Sequence, residues 1–404
     1  MKKNSPAGEK KKPTQNVRTK EPGKTLKMEA QRLLRKIKAA GGGKTERMKG
    51  ERAFFIGIDI GDKISCYCLI DAGGEIVVED AIATTQEAFA AYFVSMPTTT
   101  IAIEVGSHSP WISELLESYG HRVYVANPRR MESIHKNRRK NDKVDARTLA
   151  RLVRADPELL YPIRHRSAGV REDLVLLRAR EAMVSARTSL INSVRGLVKS
   201  VGGRLPACSA HSFHNKAVGS IPEQLKKVLL PMLEQIQSLT EKLRDYDKEA
   251  EVMASKKYPE TGALRQVKGV GALTSLAFVL TIENPERFQK SRDVGPYLGL
   301  VPKQDESGES SPQLRITKTG DMMMRRLLVS SGQHIMGPFG EDCDLRRHGE
   351  KIAARGGKNA KKRAVVAVAR KLGVLLHRLW QTGEAYEPLY NNMRIDASLN
   401  KATA

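Results

Sequence analysis

The chain has 404 residues, room for two or three domains with cores of their own. Lys and Arg outnumber Asp and Glu by 69 to 45, a formal charge of +24, which points to a polyanionic partner, nucleic acid ahead of an anionic membrane surface. No run approaches the roughly 18 apolar residues of a membrane span, and no apolar segment follows the lysine-rich N-terminus, so a membrane protein and a secretory signal are both excluded.

Residues 1–50 hold 16 basic and 4 acidic residues, half of the net charge. This stretch reads as a disordered basic tail, apart from a short helix over Lys27–Ala40 that stops at Gly41-Gly42-Gly43. It would bind a nucleic-acid backbone without regard to sequence, or serve only as a solubilising tail.

Residues 51–160 have a different texture. Ala53–Ile60 is a nearly continuous apolar run closed by Asp59, as expected of a buried central strand. Ile64–Asp71 and Glu75–Asp80 read as strands joined by an Ala72-Gly73-Gly74 turn. A helix over Gln86–Ser95, a buried strand Thr100–Val105 carrying Glu104, a helix Ser109–Tyr119 and a strand His121–Val125 follow. Asn127-Pro128 then leads through the basic stretch Arg129, Arg130, Lys136, Arg138, Arg139 and Lys140 to a helix holding Asp142 and Asp145. The order is β-β-β-α-β-α-β-α, an α/β domain.

Asp142 and Asp145, three apart on a helix, share one face about 5–6 Å apart at Cβ. Two unpaired acids so close want a cation; Lys140, Lys143 or Arg147 could supply it within an ordinary charged helix start. Asp59 and Glu104 change the balance, because an acid at the end of a buried strand is costly unless it is paired or metal-bound. If the two strands are neighbours under the helix, four carboxylates converge, a donor set suited to Mg²⁺ or Mn²⁺ and to phosphodiester chemistry. The alternative is that Asp59 caps a turn and Glu104 pairs with an arginine. The four cysteines, Cys66, Cys68, Cys208 and Cys343, lack zinc spacing and fit a reducing cytoplasm; Cys66 and Cys68 share one side of a strand as buried fillers.

Residues 161–258 read as two long helices, Val170–Val201 and Ile221–Met253, broken by Gly202-Gly203 and Pro206: a helical hairpin or coiled coil that could pair subunits or lie along nucleic acid. His211 and His214, in the break, read as exposed loop histidines. Residues 259–385 form a mainly α domain. Val267–Thr274 resembles a helix-hairpin-helix turn, whose glycines would offer backbone amides and Lys268 to a phosphate. Leu298-Gly299-Leu300-Val301-Pro302 precedes a polar loop containing Ser307, and Ile316–Gly320 leads into a helix Met322–Met336; Lys318, Arg325 and Arg326 are expected to contact nucleic acid. The basic cluster over 346–363, including Lys361, Lys362 and Arg363, precedes an apolar helix Ala364–Leu379 and is expected to contact phosphates. Residues 386–404 read as a C-terminal tail frayed at its end.

The strand order and the Asp59, Glu104, Asp142, Asp145 set resemble the ribonuclease H/RuvC-like nucleases. More narrowly, Glu104–Arg154, with Tyr124–Pro128 and Asn141–Arg147, resembles the DEDD insertion-sequence transposases, a family that includes Piv-type invertases and bridge-RNA-guided recombinases. The resemblance spans about residues 53–385. It implies a transposase or recombinase that exchanges DNA strands with Mg²⁺ or Mn²⁺ at the four acids. It also makes Ser307 the nucleophile of a covalent serine–DNA link; Ser307 matches the family's serine in a Ser-Gly step, and Glu306 stands where many relatives have a second serine. Acids and serine would meet across the helical segment, from one subunit or two. The expected partners are double-stranded DNA and a structured guide RNA, the expected assembly a homodimer forming a tetramer, and the compartment the bacterial cytoplasm at the nucleoid. Two other readings stand beside it: a junction-resolving nuclease using the four acids and water, and a non-catalytic nucleic-acid-binding protein.

Overall fold

A computed structural model describes residues 31, 32, 34–36, 53–131, 141–308, 310, 312 and 314–391, and the chain divides into two compact units at His165/Arg166. Lys136, Arg138, Arg139 and Lys140, expected to contact nucleic acid, and most of the two tails lie outside the described residues.

The first unit is built on five strands: β1 (Phe55–Asp59), β2 (Ile64–Ile70), β3 (Ile76–Ala83), β4 (Thr100–Glu104) and β5 (Arg122–Ala126). Their order across the sheet is β3-β2-β1-β4-β5. β1 pairs antiparallel with β2 and parallel with β4, so the most apolar segment lies at the centre. Between β2 and β3 the chain reverses through Gly74 at φ +90, where the Asp71 side chain accepts from the Glu75 amide.

Alternation sorts the side chains by face. Ile56, Ile58, Ile101 and Ile103 pack with α1 (Gln86–Phe93) and α2 (Ser109–Ser118), around Phe89, Phe93, Ile112 and Leu116. The opposite face carries small residues, Gly57, Cys68 and Ala102, and is covered by α3 (Asp142–Ala155) through Ala146, Leu149, Ala150 and Val153. Small residues here are a requirement: a Cβ on Gly57 would lie 2.0 Å from the Ala146 carbonyl oxygen and 2.3 Å from the Ala150 amide nitrogen.

The second unit has two long helices, α4 (Ala168–Ser200) and α6 (Glu223–Lys256), bridged by a connection that contains α5 (Phe213–Val218). One end of this hairpin has its own core, with Val194, Val198, Phe213 and Ile236. The other end, through Leu174, Leu177, Ala250 and Ala254, joins the core of the remaining helices. His211 is exposed and bonded to Arg244, whereas His214 is half-buried in α5, so the exposed-loop reading holds for His211 only. α8 (Ala272–Ile282), buried from Thr274 onward, shares this core with α7 (Thr261–Leu264), α9 (Val294–Tyr297), α10 (Met322–Met336), α11 (Asp344–Ala353) and α12 (Ala360–Thr382). Lys361, Lys362 and Arg363 belong to the first turn of α12, a correction to the helix start expected at Ala364. Among the described residues no helix is long and apolar enough to cross a membrane.

Candidate active site

The four acids of the sequence reading occupy one edge of the sheet's α3 face. Asp59 ends β1 two residues beyond Gly57, and Glu104 ends β4 two residues beyond Ala102, the partner of Gly57 in the parallel register. By the period of two, both acids point to the face that α3 covers. Cys66 is paired with Asp59 across β1 and β2. Cys66, Asp59 and Glu104 therefore stand in a row over three strands.

Above that row α3 begins. Asn141 caps it, its side-chain oxygen accepting from the Lys143 amide at 3.1 Å, and Asp142 and Asp145 fall in the first turn, where the helix dipole favours anions. Ala146 rests on Gly57, which fixes Asp145 immediately before the closest approach of helix and sheet. Electrostatics report the same convergence: burial raises the Cys66 thiol pKa, and the charges of Asp142 and Asp59 raise it further.

The cation beside the two aspartates in sequence is engaged elsewhere. Arg147, which the sequence offered as a partner for the aspartates, instead makes a bidentate pair with Glu79 of β3, at 2.8 and 2.9 Å. That pair holds Glu79 below the usual carboxylate range and ties α3 to the sheet. Among the described residues no Lys, Arg or His forms an ion pair with Glu104, Asp142 or Asp145. Burial pushes the neighbouring Cys68 thiol up to about 11, and the Glu79 charge adds to it.

The donor set fits a hard divalent cation in kind: four carboxylates, with no soft ligand required. In spacing it is not a closed cage, because among the described residues no three of His, Cys, Asp and Glu are close enough to hold a metal ion. Magnesium tolerates this. It is commonly held by one or two carboxylates together with substrate phosphates, and keeps several waters.

One group at this edge escaped the sequence reading. His108, after β4, accepts from the Trp111 indole N–H at Nδ1 (3.1 Å), while its Nε2 lies 3.5 Å from Asp62 in the loop after β1. The loops following the two acid-bearing strands are thus joined. The spacing His108-x-x-Trp111 was visible in the sequence; that Asp62 faces it was not.

In the second unit, Ser307 is exposed in a tight turn in which it and Ser310 exchange backbone hydrogen bonds of 3.2 and 3.0 Å, with Gly308 at φ +55. Below it the chain segments 299–303 and 315–318 pair, Lys303 with Arg315, Thr317 with Val301 and Lys318 with Gly299. Two glycines make the crossing possible. A Cβ on Gly299, itself at φ +67, would lie 2.5 Å from the Thr319 amide nitrogen, and one on Gly320 would lie 2.2 Å from the Tyr297 carbonyl oxygen. The Leu-Gly-Leu and Lys-Thr-Gly segments are thus the two halves of one clasp.

The same clasp corrects one expected phosphate contact. Arg325 is only 9% exposed and donates to the carbonyl oxygens of Leu298 (3.1 Å) and Gly320 (2.9 Å), fastening the loop base from inside. Arg326 is half-exposed and paired with Glu181 of α4. Lys268 is exposed but lies 3.4 Å from Glu341, and Arg130 sits over the Tyr161 ring. Arg129, Lys318, Lys361, Lys362 and Arg363 are exposed, Arg363 with one bond to the Gly356 carbonyl.

Comparison with known proteins adds the following. Residues 56–202 match the DEDD-type transposase model of the IS110 group, and residues 262–341 match the model described as the transposase IS116/IS110/IS902 family. The transposase for insertion sequence element IS1111A of Coxiella burnetii is 26% identical over 341 residues, covering 82% of this chain and 90% of that protein. A putative transposase of Sinorhizobium fredii, y4pF/y4sB, is 27% identical over 310 residues (73% and 76%), and the transposase for IS1328 of Yersinia enterocolitica 24% over 291 (70% and 83%).

Proposed function

Because the chain belongs to the DEDD-type insertion-sequence transposases, enzymes that cut and join DNA, we propose that it exchanges DNA strands through a covalent serine–DNA intermediate. In this reading residues 51–160 are a ribonuclease H/RuvC-like domain, 161–258 a helical hairpin and 259–385 the serine-bearing domain. The observation that carries it is the row of Asp59 and Glu104 on adjacent parallel strands beneath the first turn of α3, which holds Asp142 and Asp145.

Each group then has a task. Asp59, Glu104, Asp142 and Asp145 would hold Mg²⁺ or Mn²⁺ together with substrate phosphate oxygens and water, and the bound ion would lower the charge felt at the scissile phosphate. Ser307 Oγ attacks phosphorus; the Ser–O–P bond forms as the bond to one deoxyribose oxygen breaks, and the hydroxyl proton ends on that leaving oxygen. A second sugar hydroxyl reverses the step, returning the proton to Ser307 and joining a new strand, so the phosphodiester count is conserved. The clasp of Gly299, Gly320 and Arg325 keeps the turn bearing Ser307 on a fixed mount, which limits the entropy lost when it meets DNA. The exposed cations Arg129, Arg130, Lys268, Lys318, Lys361, Lys362 and Arg363 suit phosphate contacts, together with Lys136, Arg138, Arg139 and Lys140. A structured guide RNA, a homodimer that assembles to a tetramer on two duplexes, and action at the nucleoid complete the proposal.

The test is a denaturing gel of labelled junction DNA incubated with protein, Mg²⁺ and the RNA flanking the element. A covalent adduct that disappears in Ser307→Ala and in Asp142→Ala supports one centre that uses both groups. Cleaved DNA without an adduct would replace this reading with the water-using nuclease.

A further inference from the structure

Phe339 is 84% exposed, more than any other large apolar side chain among the described residues. Burying such a side chain is favourable, so its exposure forgoes an available gain. The loop that carries it, Gly337-Pro338-Phe339-Gly340 between α10 and α11, is firmly held. Arg346 Nη1 donates to the carbonyl oxygens of Ile335 (3.1 Å), Gly337 (2.8 Å) and Gly340 (2.9 Å). The Gly340 amide closes the turn onto Gly337 at 3.2 Å, and a Cβ on Gly340 would lie 2.1 Å from the Ile335 carbonyl oxygen. An internal guanidinium and an obligatory glycine thus hold the backbone in place while the ring is left in solvent.

The loop has a neighbour of a second kind. Glu341, next after Gly340, reaches Lys268 at 3.4 Å, and Lys268 begins the Lys268–Gly271 turn that opens α8. Gly269, at φ +90, lies against the end of α10; its Cβ would be 2.9 Å from the His334 ring. The projecting ring and the glycine turn therefore share one end of the unit. The two acids beside them are neutralised locally, Glu341 by Lys268 and Asp342 by a short bidentate contact with Arg347, which holds the Asp342 carboxyl below its ordinary range.

We propose that Phe339 is an aromatic wedge that enters a base step of duplex DNA whose backbone is held by the Lys268–Gly271 turn. A planar apolar ring on a rigid mount pays little entropy on stacking, and Phe is among the side chains that unstack and kink duplexes this way. A protein or membrane contact would call for a continuous apolar patch. Phe339 is instead flanked by Gly337, Pro338, Gly340 and the charged Glu341 and Asp342. Duplex DNA is favoured over duplex RNA because the wedge needs a deformable groove, and A-form RNA has a deep major and a shallow minor groove. This inference rests on the chain acting on DNA.

The full chain would be titrated into duplex DNA of the element junction, end-labelled to report bending and carrying 2-aminopurine at successive steps. Wild type should bend the duplex and brighten 2-aminopurine at one step. Phe339→Ala should lose both signals and bind roughly five- to a hundred-fold more weakly, the effect of losing about one stacked base. Phe339→Trp should restore them. Thermal unfolding should be unchanged throughout, since the side chain is outside the core. Equal binding and bending by Phe339→Ala would overturn the wedge, as would a loss seen only with duplex RNA, or a change in subunit count with DNA binding intact. If Phe339→Ala also forms serine–DNA adduct like wild type, the wedge alone fails. If wild type neither binds duplex DNA nor forms adduct, the DNA-joining reading falls with it.

Discussion

Gly57→Ala is the sharpest perturbation of the acid edge. The added methyl carbon would sit 2.0 Å from the Ala146 carbonyl oxygen, 2.3 Å from the Ala150 nitrogen and 2.8 Å from Leu149 Cβ, where ordinary contact begins near 3.4 Å. The helix must retreat by more than about 1 Å, and since two of the three atoms are backbone no rotamer change relieves the clash. Overpacking of this kind costs about 1–3 kcal/mol, and this case belongs at the upper end because α3 packs directly over the centre of that face. The retreat also carries Asp142 and Asp145 away from Asp59, and a misplacement of about 1 Å is worth on the order of 10²-fold in rate. Trp111 lies in the first unit and Trp380 in the second, so Trp111 fluorescence in a Trp380→Phe background follows the first unit alone in urea. The midpoint should fall by about 1.5 M for an m-value of about 2 kcal/mol/M. Gly106→Ala, whose Cβ meets nothing within 4 Å, serves as the control and should leave it unchanged. An unaltered midpoint and unaltered strand joining in Gly57→Ala would show that α3 does not rest on β1 at this residue.

Three further outcomes are expected. Burial raises the Cys66 pKa first and the negative charges of Asp142 and Asp59 raise it further, and added Mg²⁺ or Mn²⁺ should offset the part due to charge; with Cys68, Cys208 and Cys343 changed to serine, alkylation of Cys66 near pH 8 should accelerate with metal, and an indifferent rate would argue against a cation at this edge. Cys68 keeps its proton more tightly folded, at about 11, than unfolded, near 9.0, so its share of stability is complete below about pH 9 and lost as pH rises towards 11; urea midpoints of the first unit should fall over that window, and less steeply in Cys68→Ala. Arg325→Ala should destabilise the second unit by about 1–3 kcal/mol by leaving the Leu298 and Gly320 carbonyls unpaired, whereas Lys362→Ala should leave stability alone and flatten the salt dependence of DNA binding by about 0.9 in the log–log slope; the reverse pattern would mean that their roles have been exchanged.

How much of this could be read from residues alone differs from element to element. β1 and β4 announce themselves as short apolar runs, and their closing acids stand out because an ion at such a position is costly. Asn141, Asp142, Asp145 and the alanines after them spell a capped helix with two acids on one face. These are local or periodic signals, and the sequence determined them without help: the α/β order, the acids at the strand ends and in the first helical turn, and the two long helices with the glycine break between them.

Other facts concern residues far apart in the chain, and folding alone brings them together. Arg147 could have served the aspartates beside it, yet it bonds to Glu79, 68 residues away, because α3 lies across β1 and β2 and Arg147 reaches past them to β3. Gly57 reads as one more strand residue until Ala146 is set 2.0 Å from where its Cβ would be. Arg325 follows a polar turn and looks like a surface cation, but the crossing of Gly299 and Gly320 draws it inside. Nothing in the run Gly337-Pro338-Phe339-Gly340 says where its ring goes; folding leaves it in solvent while Arg346 fills the space below the loop. Spacing along a chain fixes which residues share a face; which face meets which, and therefore which charge is paired, buried or left to act, is decided only when the faces pack.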